Sequence, residues 1–245
     1  MRANPADQRR LLDLQQADTA LTQLAHRRAN LPEDAEIAAL RQQVNELADR
    51  AGSNEAGVGD LDRDIAKVER EIEQVSRRAD TDRARQASGA LGAKELESLG
   101  HELETLARRQ SELEDQQLEL MEERDTRQAA TEADARDLAA KRSELAATEA
   151  RRAESVSAID TDKAAADAER AAIFAELPED LTKLYEKIRR NKPIAAALLR
   201  QRRCESCRIE QSGADLAALR AADESDVVRC DNCSAILVRT EESGL

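Results

Sequence analysis

The chain has 245 residues, of which 36% are charged and 1% are aromatic, and its formal net charge at pH 7 is −13. So few aromatic side chains exclude a large globular core, whereas the abundance of Ala, Leu, Glu, Asp, Arg and Gln is typical of long helices and coiled coils. No apolar run approaches the ~20 residues of a membrane-spanning helix, so we expect no membrane association.

Residues 1–177 are predicted to form an antiparallel coiled-coil hairpin. Residues 1–6 are expected to fray, and a helical stripe of leucines begins at Leu11. Residues 30–33 interrupt the stripe, and Pro32 suits the first turn of a new helix, so a break is predicted there. From Ile37 to Asp82 the seam positions alternate at spacings of three and four residues, which indicates a heptad repeat.

The chain is expected to fold back at a tip near residues 86–93, where Gly89 interrupts the pattern. A second seam of matching length follows from Leu96 to Lys141. A fold-back at Gly89 gives a single register for both seams, which favours a hairpin within one chain over an intermolecular coil. The facing pairs would be Val75 with Leu103, Ile72 with Leu106, Ile65 with Leu113, Val58 with Leu120, and Leu40 with Leu138.

This register also brings polar positions together. Asn54 would face Arg124 and Val44 would face Asp134, close to glycines at positions 52, 57 and 59. Each glycine costs a helix about 1 kcal/mol relative to alanine. Residues 50–60 and 120–135 are therefore either a bend or flexible joint, or simply a loosely packed part of the coil, and the sequence leaves both open.

The pattern changes after Pro178, and we place a domain boundary there, with residues 178–245 as the second part. Apolar residues from Leu181 to Ile188 line one face of a short helix, and Pro193 is expected to start a second helix through residues 195–199. Residues 213–222 are predicted to form a short helix or a loop. Residues 227–229 and 235–239 alternate in the manner of short strands.

All four cysteines lie in this second part, in two Cys-x2-Cys pairs: Cys204 with Cys207, and Cys230 with Cys233. Two such turns can aim four thiolates at one centre, which predicts one structural Zn²⁺ ion in a small ribbon of short β-strands. Disulfides and a rubredoxin-like iron site are the alternatives. Four thiolates leave no open position for catalysis, and unoxidised cysteine pairs fit a cytoplasmic location.

These motifs together resemble a known family. The segment from Leu184 to Arg189, an alanine-rich turn and the two cysteine pairs follow a coiled coil that contains Glu112–Asp115 and Leu120–Glu122. The combination resembles the bacterial coiled-coil plus C4-type zinc-ribbon family. The resemblance implies a long helical hairpin beside a zinc ribbon, with the four cysteines as zinc ligands. It also implies nucleic-acid binding, or an adaptor role in transcription or in flagellar or secretion machinery.

The turns around the cysteines depart from the usual zinc-ribbon pattern. Zinc ribbons often have glycine in or after the turn, because glycine adopts the left-handed conformation without strain. This chain has other residues there, so the turns are expected to depart from ideal geometry: Ser206, Arg208 and Ser234.

No catalytic constellation stands out along the chain. There is no phosphate-binding loop, and neither His26 nor His101 has a nucleophilic Ser or Cys in a recognisable pairing. We therefore expect a protein that is not an enzyme and has no small-molecule substrate.

Positive charge is concentrated beside the first cysteine pair. Residues 183–208 hold nine basic residues against two acidic ones, which favours binding of RNA or DNA through phosphate contacts. The alternative is a basic linker that pairs with the acidic coil. A second class of function is a protein adaptor whose acidic coil binds basic or amphipathic protein partners. The nine candidate residues are Lys183, Lys187, Arg189, Arg190, Lys192, Arg200, Arg202, Arg203 and Arg208.

Overall fold

The computed structural model describes all residues from 1 to 245. The five α-helices are α1 (Pro5–Ala29), α2 (Pro32–Ala87), α3 (Ala93–Glu176), α4 (Glu179–Arg189) and α5 (Gly213–Ala221). The strands are β1 (Ala196–Arg200), β2 (Arg203–Cys204), β3 (Val228–Arg229) and β4 (Ile236–Val238), and a 3-10 turn closes the chain at Glu241–Ser243. The predicted mainly α architecture, a long helical hairpin followed by a small region of short strands, is confirmed.

Contacts divide the chain into two compact units. The first, which we call the ribbon unit, comprises residues 1–34 and 150–245, and the second, the hairpin unit, comprises residues 35–149. The predicted boundary at 177/178 lies inside the ribbon unit, and separate folding on its two sides stays a prediction. None of the helices combines the length and apolar character needed to cross a bilayer.

The helix boundaries follow local chemistry. Pro32 opens α2, where its missing N–H costs no hydrogen bond, so the predicted break after α1 is confirmed. At the tip, Gly89 has a φ of 68°, a left-handed conformation that glycine adopts readily after a helix end. The Gly92 N–H donates to a carboxylate oxygen of Glu95 at 3.0 Å, which satisfies a free donor at the start of α3.

The two limbs of the hairpin unit face each other in a register different from the predicted one. Near the tip, Glu71 pairs with Arg109, close to expectation. Farther along, Asp134 bonds Arg50 and Asn54, six and ten residues beyond its predicted partner Val44. The predicted single register was wrong for two reasons. The connection between α2 and α3 is centred after Gly89, which shifts the facing positions. In addition, the stretch of α3 from the tip to Asp134 is about one turn longer than the stretch of α2 that it faces.

The weak part of the predicted seam contains a polar cluster. Both helices continue through residues 50–60 and 120–135 without a break. Asp134 is buried, and its carboxylate accepts hydrogen bonds from the Arg50 Nε at 2.7 Å and the Asn54 amide at 2.8 Å. A polar cluster at a seam position favours one register, because any slip would leave the buried carboxylate without partners.

This cluster makes the stability of the hairpin unit depend on pH. Hydrogen bonding from Arg50 holds the pKa of the Asp134 carboxyl below its ordinary value of 3.8. A lowered folded-state pKa stabilises the fold above the unfolded-state pKa, and that contribution is lost as pH falls through the folded-state value. We expect wild type to exceed Asp134→Asn in urea midpoint above pH 5, with the gap closing toward pH 3. The helical circular dichroism signal, followed in urea at each pH, would measure the midpoint of each protein.

The matched control is Asp115→Asn on the same helix, because Asp115 is exposed and forms no ion pair. Its urea midpoint should follow that of wild type at every pH. A constant gap between wild type and Asp134→Asn down to pH 3 would contradict the role given to this carboxylate.

In the ribbon unit, α1 runs antiparallel to the end of α3. Arg10 pairs with Glu176 at 3.1 Å, and Arg28 pairs with Asp160 nearer the other end of α1. The N-terminal residues are not frayed as predicted, since the Ala3 N–H donates to the Ser225 carbonyl at 2.8 Å and Arg2 forms a β-bridge with Asp226. The missing signal was the partner, which lies more than 220 residues away in sequence.

The four strands form one sheet in the order β2-β1-β4-β3, in which β1 and β4 are parallel and the other neighbours antiparallel. The predicted helix at 195–199 was wrong, because this stretch is strand β1. Its alanines and leucines favour helix locally, but pairing on both edges and nearly complete burial outweigh that preference.

The two faces of the sheet pack against different cores. Ala196 and Ile236 belong to a cluster with Leu11, Leu14 and Tyr185 from the helices. On the opposite face, a second cluster joins the sheet, α5 and the cysteines: Ala197, Leu199, Leu237, Leu216, Leu219, Cys204 and Cys230. Strand alternation therefore places the helical core on one side and the cysteine site on the other.

Candidate metal centre and basic surface

Each cysteine pair lies in a tight turn beside a strand. Cys204 ends β2, and Cys230 follows β3. The Arg208 N–H donates to the Cys204 carbonyl at 2.7 Å, and the Ser234 N–H donates to the Cys230 carbonyl at 2.8 Å. The two turns are thus equivalent, although neither has the glycine of the usual pattern. Arg208 and Ser234 instead adopt positive φ angles of 59° and 66°.

The four sulfur atoms fit one tetrahedral metal ion. All four Sγ atoms lie within 4.8 Å of one another. Cys204 and Cys233 are 3.7 Å apart, and Cys207 and Cys230 are 3.8 Å apart, far beyond the ~2.05 Å of a disulfide. A zinc ion bound at ~2.3 Å to four tetrahedral thiolates would separate the sulfurs by ~3.8 Å. The four cysteines would therefore hold one structural zinc ion and leave no position for substrate.

The protons on these thiols are held unequally. Burial raises the pKa of the Cys204 thiol to about 12. Burial also acts on Cys230, but N–H groups of Cys233 and Asn232 and the Gln211 amide outweigh it and lower its pKa to about 7. Zinc binds thiolates, so metal uptake must displace the thiol protons, and the proton of Cys204 is the hardest to displace.

Gln211 is a neighbour of the site that the sequence did not reveal. Its side chain is buried, and its amide Nε2 lies 3.6 Å from Cys230 Sγ and 3.3 Å from the Ile209 carbonyl. Donors of this kind orient thiolate ligands and tune their basicity. Glutamine is not a usual metal ligand, so no spacing rule marks it, and only the fold brings it to the cysteines.

Eight of the nine basic candidates fall into two groups, one before strand β1 in the chain and one from its last residue onward. Strand β1 separates them and spans roughly 16 Å at ~3.3 Å per residue. The first set, which we call the α4 group, precedes β1 and consists of Lys183, Lys187, Arg190 and Lys192. The second set, which we call the knuckle group, lies on the β1–β2 hairpin and the first cysteine turn and consists of Arg200, Arg202, Arg203 and Arg208.

The ninth residue, Arg189, is half-buried and pairs with a buried carboxylate. Its guanidinium lies 2.7 Å from the carboxylate of Asp18, which is only 2% exposed. The same carboxylate accepts hydrogen bonds from Arg170 at 2.6 Å and from the Tyr185 hydroxyl at 2.7 Å. For Arg189, the contacts therefore favour a structural ion pair with the helices over a role in nucleic-acid binding.

The buried network extends to the sheet. Gln15, on α1, accepts hydrogen bonds from the Ala195 N–H at 2.6 Å and the Tyr185 hydroxyl at 3.3 Å. Its own amide donates to the Pro193 carbonyl at 3.2 Å. Asp18 and Gln15 thus connect α1, α3, α4 and the start of β1.

The other basic side chains are exposed and weakly engaged. Arg200 pairs with Glu242 at 3.0 Å and Arg203 with Glu210 at 3.8 Å, with all four side chains more than half exposed. Lys183 pairs with Glu179 on the same helix. Such surface pairs contribute about 0–1 kcal/mol each. Arg202 forms no ion pair, but its Nε donates a hydrogen bond to the Gly244 carbonyl. The remaining exposed members of the two groups also form no ion pair: Lys187, Arg190, Lys192 and Arg208.

The knuckle group stands on a strained backbone. Gln201 and Arg202 form the two-residue turn between β1 and β2, with φ angles of 47° and 67°. Such turns favour glycine or asparagine, because both central residues have positive φ. With Arg208, three non-glycine residues within eight positions adopt the left-handed conformation.

Comparison with known proteins agrees with this architecture. A family model for the CT398-like coiled-coil hairpin domain matches residues 14–193, and one for the C4-type zinc ribbon domain matches residues 203–237. The chain is 40% identical over 241 residues to uncharacterized protein Rv2229c of Mycobacterium tuberculosis, with 98% of each chain covered.

Two solved structures resemble the chain over nearly its whole length. A protein from Mycobacterium smegmatis superposes with a TM-score of 0.85 at 38% identity, covering 98% of this chain and all of that one. CT398 from Chlamydia trachomatis superposes with a TM-score of 0.66 at 19% identity, covering 95% and 97%, which supports the fold alone. The chain belongs to the family of CT398-like coiled-coil hairpin proteins that carry a C4-type zinc ribbon.

Proposed function

We propose that this protein is a non-enzymatic zinc protein whose four cysteines hold one structural zinc ion and whose knuckle group binds RNA or DNA through phosphate contacts. One observation supports this above all: arginine occupies positions 202 and 208, where the backbone favours glycine. A residue in the left-handed conformation costs about 1–2 kcal/mol relative to glycine. Strain of this kind is found at functional sites, where the side chain contributes something that glycine lacks.

Arginine contributes a planar fork of donors that matches phosphate oxygens in pairs. The zinc ion and the sheet would fix the backbone beneath the four arginines, so little conformational freedom of the backbone is lost on binding. The acidic partners Glu242 and Glu210 are exposed and weakly held, so phosphates can replace them.

Phosphate contacts are favoured over reading of bases because no aromatic side chain is free to stack. The chain has one Tyr and one Phe. Tyr185 is fully buried. The ring of Phe174 packs in the helical core, and the Arg170 guanidinium lies over it, 5.4 Å from the ring centroid. Recognition of single strands relies on stacking platforms of this kind. Binding should therefore tolerate many sequences and weaken with salt.

The test separates charge from strain. Arg202→Gly with Arg208→Gly removes both charges and relaxes the backbone, whereas Arg202→Gln with Arg208→Gln removes the same charges and keeps the strain. We expect both double variants to weaken binding of a labelled single strand and a labelled duplex. The slope of log affinity against log salt should flatten by about two units, because about one counterion is released per phosphate contact. Only the glycine pair should raise the unfolding temperature of the zinc-loaded protein.

The matched control replaces exposed, unpaired arginines of the hairpin unit, Arg70→Gln with Arg136→Gln, and should bind as wild type does. In a third variant, the lysines of the α4 group are replaced with Gln. A loss of affinity in this variant would show that the bound nucleic acid extends past β1. If wild type binds neither ligand at low salt, or if the double variants bind equally well, the nucleic-acid function falls and an adaptor role takes its place.

A further inference from the structure

Two large apolar side chains of the hairpin unit face solvent side by side. Leu118 is 59% exposed and Met121 is 44% exposed. They are three residues apart on α3, so they lie on one face of the helix. Neither belongs to the seam, which is occupied nearby by Leu113, only 1% exposed. No other two exposed large apolar residues lie within one helical turn of each other in the sequence.

The surroundings of this pair are acidic. Residues 111–123 hold six acidic residues and no basic one. Asp115 and Glu122 flank Leu118 one turn before and one turn after it, both exposed and without an ion pair. Elsewhere in the hairpin unit, exposed acids commonly have arginine partners, as Glu71 has Arg109 and Asp62 has Arg124. Within residues 111–123, Glu112 pairs with Arg109 and Glu123 pairs with Arg127. The uncompensated negative charge beside the exposed apolar area is therefore that of Asp115 and Glu122.

We propose that this surface, Leu118 and Met121 framed by Asp115 and Glu122, binds an amphipathic helix whose apolar face is bordered by Lys or Arg. Its anchors are two side chains spaced one turn apart, which fits apolar residues at i and i+3 or i+4 of a partner helix. The Met121 side chain is flexible and adapts to partners of different shape. The basic border would pair with the free carboxylates.

Other occupants fit the charge less well. A second copy of this chain would place the acidic stretch against itself, and like charges facing each other oppose association. Phosphate is repelled for the same reason. The surface is thus distinct from the knuckle group, and the proposal stands independently of the nucleic-acid function.

The probe is a synthetic 18-residue peptide of Leu and Lys, with Leu at helical spacings of three and four. A peptide of the same composition in scrambled order is the control, because it keeps the charge and loses the apolar face. The chain has two methionines, Met1 and Met121. With the methionine methyl groups labelled with carbon-13, the helical peptide should shift the Met121 signal and leave the Met1 signal unchanged.

Affinity of the same peptide is then compared between variants of the full chain. Leu118→Gln with Met121→Gln should weaken binding about tenfold or more, since losing burial of one such side chain is enough for that factor. The control is Leu96→Gln, an exposed leucine beside Lys94, and it should bind as wild type does.

Three results would overturn the proposal. The first is an unchanged Met121 signal at saturating helical peptide. The second is equal binding of the scrambled peptide. The third is a Met121 signal that moves with protein concentration alone, which would make a second copy of the chain the occupant.

Discussion

A chain carrying Cys230→Ser is expected to lose its zinc and the order of residues 201–234, while keeping the helices of the hairpin unit. Serine cannot replace a thiolate as a zinc ligand here, and structural zinc contributes about 10–16 kcal/mol in small zinc-dependent folds. The cluster built on Leu199, Leu237 and Leu216 also contains Cys204 and Cys230, so this cluster loses its organisation with the metal. The opposite face of the sheet, packed on the helices, does not depend on the cysteines.

The measurements are zinc content, far-UV circular dichroism and limited proteolysis. We expect wild type to contain one zinc per chain and Cys230→Ser to contain none, with the helical signal nearly unchanged. Trypsin should cut the variant rapidly at arginines of the released segment: Arg202, Arg203, Arg208, Arg220 and Arg229. Asn232→Ser, an exposed change in the same turn, should behave as wild type does. A Cys230→Ser protein that keeps its zinc and resists trypsin would contradict this account.

Replacing Asp18 with alanine should destabilise the ribbon unit by about 3 kcal/mol. The buried carboxylate neutralises the guanidinium groups of Arg170 and Arg189 and accepts the Tyr185 hydroxyl. Removing one partner of a buried ion pair costs about 3–5 kcal/mol, and we take the low end because both arginines retain some exposure. The chain has no Trp and one Tyr. Fluorescence of Tyr185 in urea therefore reports unfolding of this unit.

Tyr185→Phe is the matched comparison, because it keeps the ring in its core and removes only the hydroxyl. By circular dichroism it should cost about 1 kcal/mol, the usual contribution of one hydrogen bond. If Asp18→Ala unfolds at the urea concentration of wild type, the network does not hold the helices and the sheet together.

The features that sequence reasoning predicted correctly were those encoded by neighbours in the chain. The break at Pro32 and the tip around Gly89 follow from the backbone preferences of single residues. The clustering of the four cysteines follows from two spacings and the coordination preference of zinc. The strands β3 and β4 were also predicted at their positions, although Ile236–Val238 are all apolar and buried instead of alternating.

What was missed depends on contacts distant in sequence. Ala195 to Leu199 form a strand because β2 and β4 pair with it on either side. The shift in register is already present where Gln117 pairs with Glu69, a few residues beyond the pair of Arg109 and Glu71, and no short pattern in the sequence reveals it. The basic residues looked like one set because they are close in sequence, whereas β1 lies between two groups of them and Arg189 pairs with the buried carboxylate of Asp18.

The position of α1 in the ribbon unit has a consequence for synthesis of the protein on the ribosome. The apolar side chains of Leu11 and Leu14 pack against Tyr185 and Ile236, which are translated roughly 170–220 residues later. At about 5–20 residues per second, roughly 10–40 seconds separate the first helix from its partners. The local contacts of the hairpin unit can form during that interval, whereas the ribbon unit closes only when the last strand has emerged. The nascent chain must therefore carry the apolar face of α1 unprotected through most of its own translation.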